Sequence, residues 1–299
     1  MKLVTYQPAG AGPQLGVIVS TADGTGDQIV NLHVASGGRL PNDMRSFLEM
    51  GEPALELARA IAGQGAGPGA VPLSSVKLLA PITNPSKVIA IGLNYMDHVR
   101  ESGGKVPTIA TMFAKYPSSI IGPDDEIRWD PALTSKVDYE AELAVVIGKR
   151  ASRVKEEDAY DYIVGYTNCH DVSARDLQLE KGDQWIMGKS LDTFCPLGPY
   201  LVTKDEIPDP HNLAIKCIVN GQALQDSNTR ELIFKIPYLI AYLSRGITLL
   251  PGDVITTGTP DGVGAFRKPP IFLKHGDVVA VEVEGLGRLT NPCVEERSA

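Results

Sequence analysis

In the stretch SKVDYEAELAVVIGK, Asp138, Glu140 and Glu142 stand at alternate positions before an apolar run, Leu143 to Gly148, that reads as a buried strand. Side chains two apart on a strand share a face, with Cα atoms roughly 6.6 Å apart. Glu140 and Glu142 can therefore lean onto one ion, and two carboxylates held that close need a positive charge between them. An all-oxygen pair suits a hard divalent cation, Mg²⁺ or Mn²⁺, with coordination positions left for substrate and water. The same pattern also fits the solvated face of an edge strand. A third acid, Asp171, follows the apolar run Tyr162 to Tyr166 at a strand-to-helix junction. It can be a third ligand, or the N-cap of the helical pattern from Ala174 to Leu179. His170 beside it is also a ligand type, although an imidazole at a strand end is more often packed and hydrogen-bonded.

His98 and Glu101 are three apart in GLNYMDHVRESGG and share a face if the segment is helical. A carboxylate beside an imidazole fixes its tautomer and raises its basicity, the arrangement of a general base. The plainer alternative is an exposed helix end. Gly103 and Gly104 would let the segment move as a lid. Lys189, in MGKSLDTFCPLGP, offers an amine to an anion or is a surface lysine in a turn. The stretch TTGTPDGVG packs three glycines between Gly258 and Gly264, whose N–H groups can cradle a carboxylate or phosphate. It matches neither a Walker A nor a dinucleotide fingerprint.

These residues need a scaffold of strands. Candidates are Lys87 to Ile91, Ala141 to Ile147, Tyr162 to Asn168, Ala214 to Val219, Val254 to Thr257 and Val278 to Val283, separated by turns of Gly, Pro and Asp. Without regular intervening helices they disfavour a doubly wound or barrel α/β architecture. Upstream, residues 1 to about 62 alternate strand-like runs (Lys2 to Tyr6, Leu15 to Ser20, Gln28 to Val34) with turns and end in the helical PALELARAIAG. Gly63 to Pro72, rich in Gly and Pro, reads as a linker. The expected organisation is a small α+β domain with linker over residues 1–72, then a larger, mainly β domain over 73–299.

Bulk properties exclude some partners. The 299 residues carry a net charge of −8 and a pI near 5.2, with no basic run, which argues against nucleic acid and anionic membranes. The apolar stretch Leu232 to Leu250 contains Lys235, Pro237 and Arg245, so it reads as a short helix from Pro237 to Gly246 rather than a span. The N-terminus lacks the apolar segment of a signal peptide. Four scattered cysteines without CxxC predict free thiols in a reducing, cytoplasmic setting. Five scattered histidines disfavour a two-histidine, one-carboxylate oxygenase.

Taken in order from about Leu79 to the C-terminus, GLNYMDHVRE, VDYEAELAVVIGK, GYTNCHDVSARDLQ, GKSLDTFCPLGP and TLLPGDVITTGTPDGVG resemble the fumarylacetoacetate hydrolase family. The resemblance implies an α+β, mainly β fold built on a mixed β-roll, usually in homodimers, with Mg²⁺ or Mn²⁺ in the mouth of the roll. It makes Glu140, Glu142 and Asp171 the metal ligands, and His98 with Glu101 a water-activating dyad on a lid. Lys189 would stabilise enolate charge, Thr259 and its loop would contact the substrate carboxylate, and Arg175 and Gln178 would orient the substrate. Asn94 stands where the mammalian fumarylacetoacetate hydrolases have a further ligand carboxylate, which points away from fumarylacetoacetate itself. The expected activity is metal-dependent hydrolysis of a C–C bond in a small 2,4-diketo acid such as fumarylpyruvate, giving pyruvate and a second acid. The alternative on the same site is decarboxylation of a 2-oxo acid such as oxaloacetate, or enol–keto isomerisation of the kind a 2-hydroxydienoate undergoes. A protein that only binds small molecules would have no use for the poised base.

Overall fold

Apolar runs punctuated by Gly, Pro and Asp become strands in a computed structural model that describes residues 1–20 and 26–296. The chain begins with β1 (Lys2–Gln7), β2 (Gln14–Ser20) and β3 (Asp27–Asn31). Two helices, α1 (Met44–Glu49) and α2 (Glu52–Gly63), follow. Next come β4 (Val88–Gly92), α3 (Met96–Ser102), β5 (Thr111–Lys115), β6 (Ala141–Ile147) and β7 (Ile163–His170). After α4 (Arg175–Leu179) lies β8 (Cys195–Thr203), and then the hairpin β9 (Ala214–Val219) and β10 (Gln222–Asn228). The chain closes with α5 (Ile236–Ser244), β11 (Val254–Thr256), β12 (Val278–Val283) and β13 (Arg288–Glu295).

One sheet runs β3-β2-β1-β8-β7-β6-β11-β4-β5, antiparallel along this path except where β11 meets β4. A second runs β10-β9-β12-β13, with Ile127–Trp129 on its edge. The mixed, mainly β architecture is the one expected. Strand β6 is buried at every position because both faces are covered. Leu143, Val145 and Ile147 share a core with Ile215, Cys217 and Val281 of the second sheet. Ala144 and Val146 pack in another core with Phe47, Leu48, Leu55 and Ala58 of α1 and α2. The sheet continues across the Gly- and Pro-rich stretch, since β1 pairs β8.

One local expectation changes, and one strand is new. The run Gln28 to Val34 is not all strand. Asn31 accepts a hydrogen bond from the Val34 N–H at 2.9 Å and starts a helical turn, Leu32–Ala35. Strand β8, which sequence periodicity did not reveal, lies between β1 and β7. Among the described residues no helix is long and apolar enough to cross a membrane.

Asn168 of β7 ties the two sheets together. Its Nδ2 reaches the carbonyls of Gly198, Leu286 and Gly287 at 3.0, 3.2 and 3.2 Å, and its Oδ1 accepts from the Val283 N–H at 2.8 Å. Asn168→Ala leaves these buried groups unpaired. It is expected to cost about 2 kcal/mol or more, read as a lowered urea midpoint at unchanged slope.

Candidate active site

Strands β6 and β7 are antiparallel with Ala141 opposite His170, so the start of one lies beside the end of the other. The Asp171 N–H donates to the Glu140 carbonyl at 2.9 Å and fixes the junction. Glu140, Glu142 and Asp171 thereby offer one carboxylate oxygen each within 4.8 Å of one another, and all three are buried. The solvated-edge alternative falls. So does the N-cap reading of Asp171, because helix α4 starts after Ala174 and has no side-chain cap.

Lys189 is a cluster residue rather than a surface one. Its Nζ donates to Glu140 Oε2 at 2.7 Å and to Asp171 Oδ2 at 2.9 Å. Lys115 at the end of β5 is a second buried ammonium, 2.5 Å from Asp171 Oδ1 and hydrogen-bonded to the Lys189 carbonyl. Sequence reasoning missed it, because its partners lie 56 and 74 residues away. Arg175 donates to Glu140 Oε1 at 2.6 Å, to Asp138 Oδ2 at 2.8 Å and to Gln178 Oε1 at 2.9 Å. Asp138, the first acid of the alternating row, thus orients Arg175.

Burial opposes ionisation of Glu140, but the Lys189 and Arg175 charges outweigh it and hold this carboxyl well below the usual range. Glu142 goes the other way. Burial pushes it up, and the Asp171 and Glu140 charges add to the push. Its hydrogen bond from the Gly258 N–H, at 2.8 Å, does not reverse this. Among the described residues Glu142 is the member of the three without an ion-pair partner, and three oxygen donors without nitrogen or sulfur make a hard donor set. These residues fit a bound Mg²⁺-like ion. His170 is not among them. It lies opposite Ala141, does not line the cavity, and is held neutral by burial, its pKa pushed down to about 3.

His98 sits buried on α3 with Nδ1 3.4 Å from Glu101 Oε2. Glu101 in turn accepts from the Gly262 N–H at 3.0 and 3.1 Å, so helix α3 is docked on the glycine turn. Phe266 packs against the imidazole with ring centroids 5.6 Å apart. The turn does not cradle a ligand with its amides as expected. The Gly258 N–H serves Glu142, that of Gly262 serves Glu101, and those of Gly264 and Ala265 serve Asp138 at 2.7 and 3.0 Å. Thr259 Oγ1 donates to the Ala141 carbonyl and accepts from Gln225 Nε2, each at 2.9 Å. Asn94 joins loops through the Phe234 N–H and the Thr257 carbonyl.

A cavity of about 400 Å³ is lined by His98, Glu140, Glu142, Asp171, Arg175, Gln178, Lys189 and Thr259. Every expected site residue lines it except Glu101, which lies behind His98. Phe113, Trp185, Phe266 and Phe272 supply apolar wall. Gly92 makes room for Trp185, whose Cζ3 would lie 2.5 Å from a Cβ at that position.

A family model for the C-terminal part of fumarylacetoacetate (FAA) hydrolase matches residues 87–294. The chain belongs to the fumarylacetoacetate hydrolase family. It is 52% identical over 296 residues to the mitochondrial oxaloacetate tautomerase of Xenopus laevis, covering 98% of this chain and 90% of that protein. The mitochondrial oxaloacetate tautomerase of Rattus norvegicus is 50% identical, with 98% and 92% covered. The crystal structure of maleylpyruvate hydrolase from Sphingobium sp. SYK-6, in complex with manganese(II) ion and pyruvate, matches with a TM-score of 0.78. It is 31% identical and covers 99% of this chain and 100% of that one.

The chain is thus an enzyme of this family, but two expectations are corrected. Relatives that are half identical along nearly the whole chain are oxaloacetate tautomerases, which overturns acylpyruvate-type C–C hydrolysis and favours the enol–keto alternative. The site residues did not separate the two reactions, because both pass through an enolate of a 2-oxo acid. The same relatives are mitochondrial by name, which overturns the cytoplasmic setting. Four free, buried thiols distinguish a reducing compartment from an oxidising one, not one reducing compartment from another.

Proposed function

We propose that the chain interconverts the enol and keto forms of a small 2-oxo dicarboxylate of the oxaloacetate class, with Mg²⁺ or Mn²⁺ on Glu140, Glu142 and Asp171. The observation that carries this reading is the convergence of His98, Lys189 and the three carboxylates on one cavity. Similarity to the oxaloacetate tautomerases supports the substrate class, and the neighbour holding manganese and pyruvate supports the ion. A divalent cation there would polarise the 2-oxo and 1-carboxylate oxygens of such an acid.

The chain's own residues handle the proton. Tautomerisation moves one proton between the C2 oxygen and C3, makes or breaks no carbon–carbon bond and consumes no water. With Nδ1–H directed at Glu101, His98 keeps a lone pair on Nε2 to exchange the proton at C3. Lys189 donates two of its N–H bonds to carboxylates and has a third for charge developing on the C2 oxygen. The apolar wall of Phe113, Trp185 and Phe266 keeps bulk water off the carbanion-like carbon.

The test is the decay of enol-oxaloacetate absorbance in stopped flow, with pyruvate release followed in parallel. Acceleration over buffer that a chelator removes and Mg²⁺ or Mn²⁺ restores, without matching pyruvate, is the expected result. Enol decay at the buffer rate would refute the reading, and pyruvate formed at the rate of enol loss would assign decarboxylation instead.

A further inference from the structure

We propose that Lys136, at the mouth of the cavity, selects the second carboxylate of the substrate by exchanging its partner Glu180 for it; this rests on the oxaloacetate-class reading above. Among the described residues three cationic side chains line the cavity, namely Lys136, Arg175 and Lys189. Arg175 already joins Asp138 to Glu140, and Lys189 joins Glu140 to Asp171. Both cations are more than nine-tenths buried. Turning either towards a second ligand carboxylate would strip a buried carboxylate of its counter-charge, which is strongly unfavourable, and the remaining Lys189 N–H is the one assigned above to the C2 oxygen. The amides of Gly258, Gly262, Gly264 and Ala265 are likewise committed to the chain's own carboxylates.

Lys136 differs on each count. Its one ion-pair partner among the described residues is Glu180, at 2.6 Å, and the two side chains are 39% and 54% exposed. A pair that open is screened by solvent and contributes little, so an incoming carboxylate displaces Glu180 at little cost. Glu180 lines the same cavity and marks where a carboxylate rests against this ammonium.

Chain geometry puts Lys136 in line with the acids. Val137, Tyr139 and Ala141 turn into the apolar core, while Asp138, Glu140 and Glu142 alternate with them on the other side. Lys136 opens this second row, and its carbonyl is held by the Arg175 N–H at 2.9 Å. From Lys136 to Glu140 is at most roughly 13 Å, the reach of four residues of fully extended chain. Part of that is covered by the lysine's flexible stem. A four-carbon diacid with its 2-oxo end at the acid cluster directs its far carboxylate outward along this row.

The test compares the KM for enol-oxaloacetate with the Ki of pyruvate, which shares the 2-oxo carboxylate end but has no second carboxylate. Lys136→Met is expected to raise the KM for oxaloacetate roughly fivefold, leaving kcat, the pyruvate Ki and the Mn²⁺ content within twofold. Lys136→Arg should restore the discrimination, Glu180→Gln should lower the oxaloacetate KM, and high salt should compress the difference. Equal shifts for both ligands, or no shift in Lys136→Met, would overturn the assignment while leaving the tautomerase reading intact. A wild-type enzyme that accelerates no oxaloacetate tautomerisation would overturn both.

Discussion

Glu142→Gln is expected to hold Mn²⁺ far more weakly than the wild type, by more than the roughly 10–100-fold typical of losing an outer partner, and to lose metal-dependent tautomerisation with it. The substitution keeps the shape and the hydrogen bond from Gly258 but removes the charge that burial, Asp171 and Glu140 make hardest to sustain. The sign of the pH dependence follows. A carboxyl raised in the folded, metal-free protein must give up its proton to bind a cation, so wild-type affinity falls as pH drops below that raised value. The slope approaches tenfold per pH unit for one proton, and Glu142→Gln should flatten it. Stability of the metal-free protein runs in the opposite sense. The folded state binds the Glu142 proton more tightly than the unfolded chain, so this contribution is present at low pH and is lost as pH rises above the ordinary carboxylate range. Thermal melts in chelator should show that loss, and saturating Mn²⁺ should cancel it.

His98→Gln is expected to reduce the tautomerisation rate by about 10²–10⁴-fold, the usual contribution of a positioned acid–base group, and to leave Mn²⁺ affinity nearly unchanged. The separation is possible because His98 stands on α3, outside the strand ends that carry the acids, and touches Glu101 and Phe266 rather than a ligand carboxylate. Glu101→Gln should fall between, since it can still accept from the Gly262 N–H and keep helix α3 docked while losing the charge that faces Nδ1 of His98. A His98→Gln protein with wild-type rate would remove the imidazole from the mechanism while leaving the metal site standing.

What the sequence disclosed follows from range of interaction. Alternation of Glu140 and Glu142 is a two-residue property of a strand, and His98 with Glu101 is a three-residue property of a helical turn. Both were therefore legible before any tertiary structure. Asp171 needed the register of β6 against β7, which its position after an apolar run only suggested. Lys115 and the orienting role of Asp138 depend wholly on long-range packing and had no local signature. Among the strands, β8 was hidden by Pro196 and Pro199, β13 by Pro292, and β10 by its polar composition, QALQDSN. Each lies in a sheet because its neighbours, not its own pattern, supply the pairing. Choice between hydrolysis and tautomerisation was not legible at all, since one set of side chains serves both.

Equilibrium dialysis against Mn²⁺ of chelator-stripped wild type and of Glu140→Gln, Glu142→Gln and Asp171→Asn, followed by metal analysis, is the most direct test of the site. The account predicts close to one ion per wild-type chain and large losses in all three variants. Equal retention by the variants and the wild type would mean that these acids gather around something other than a metal.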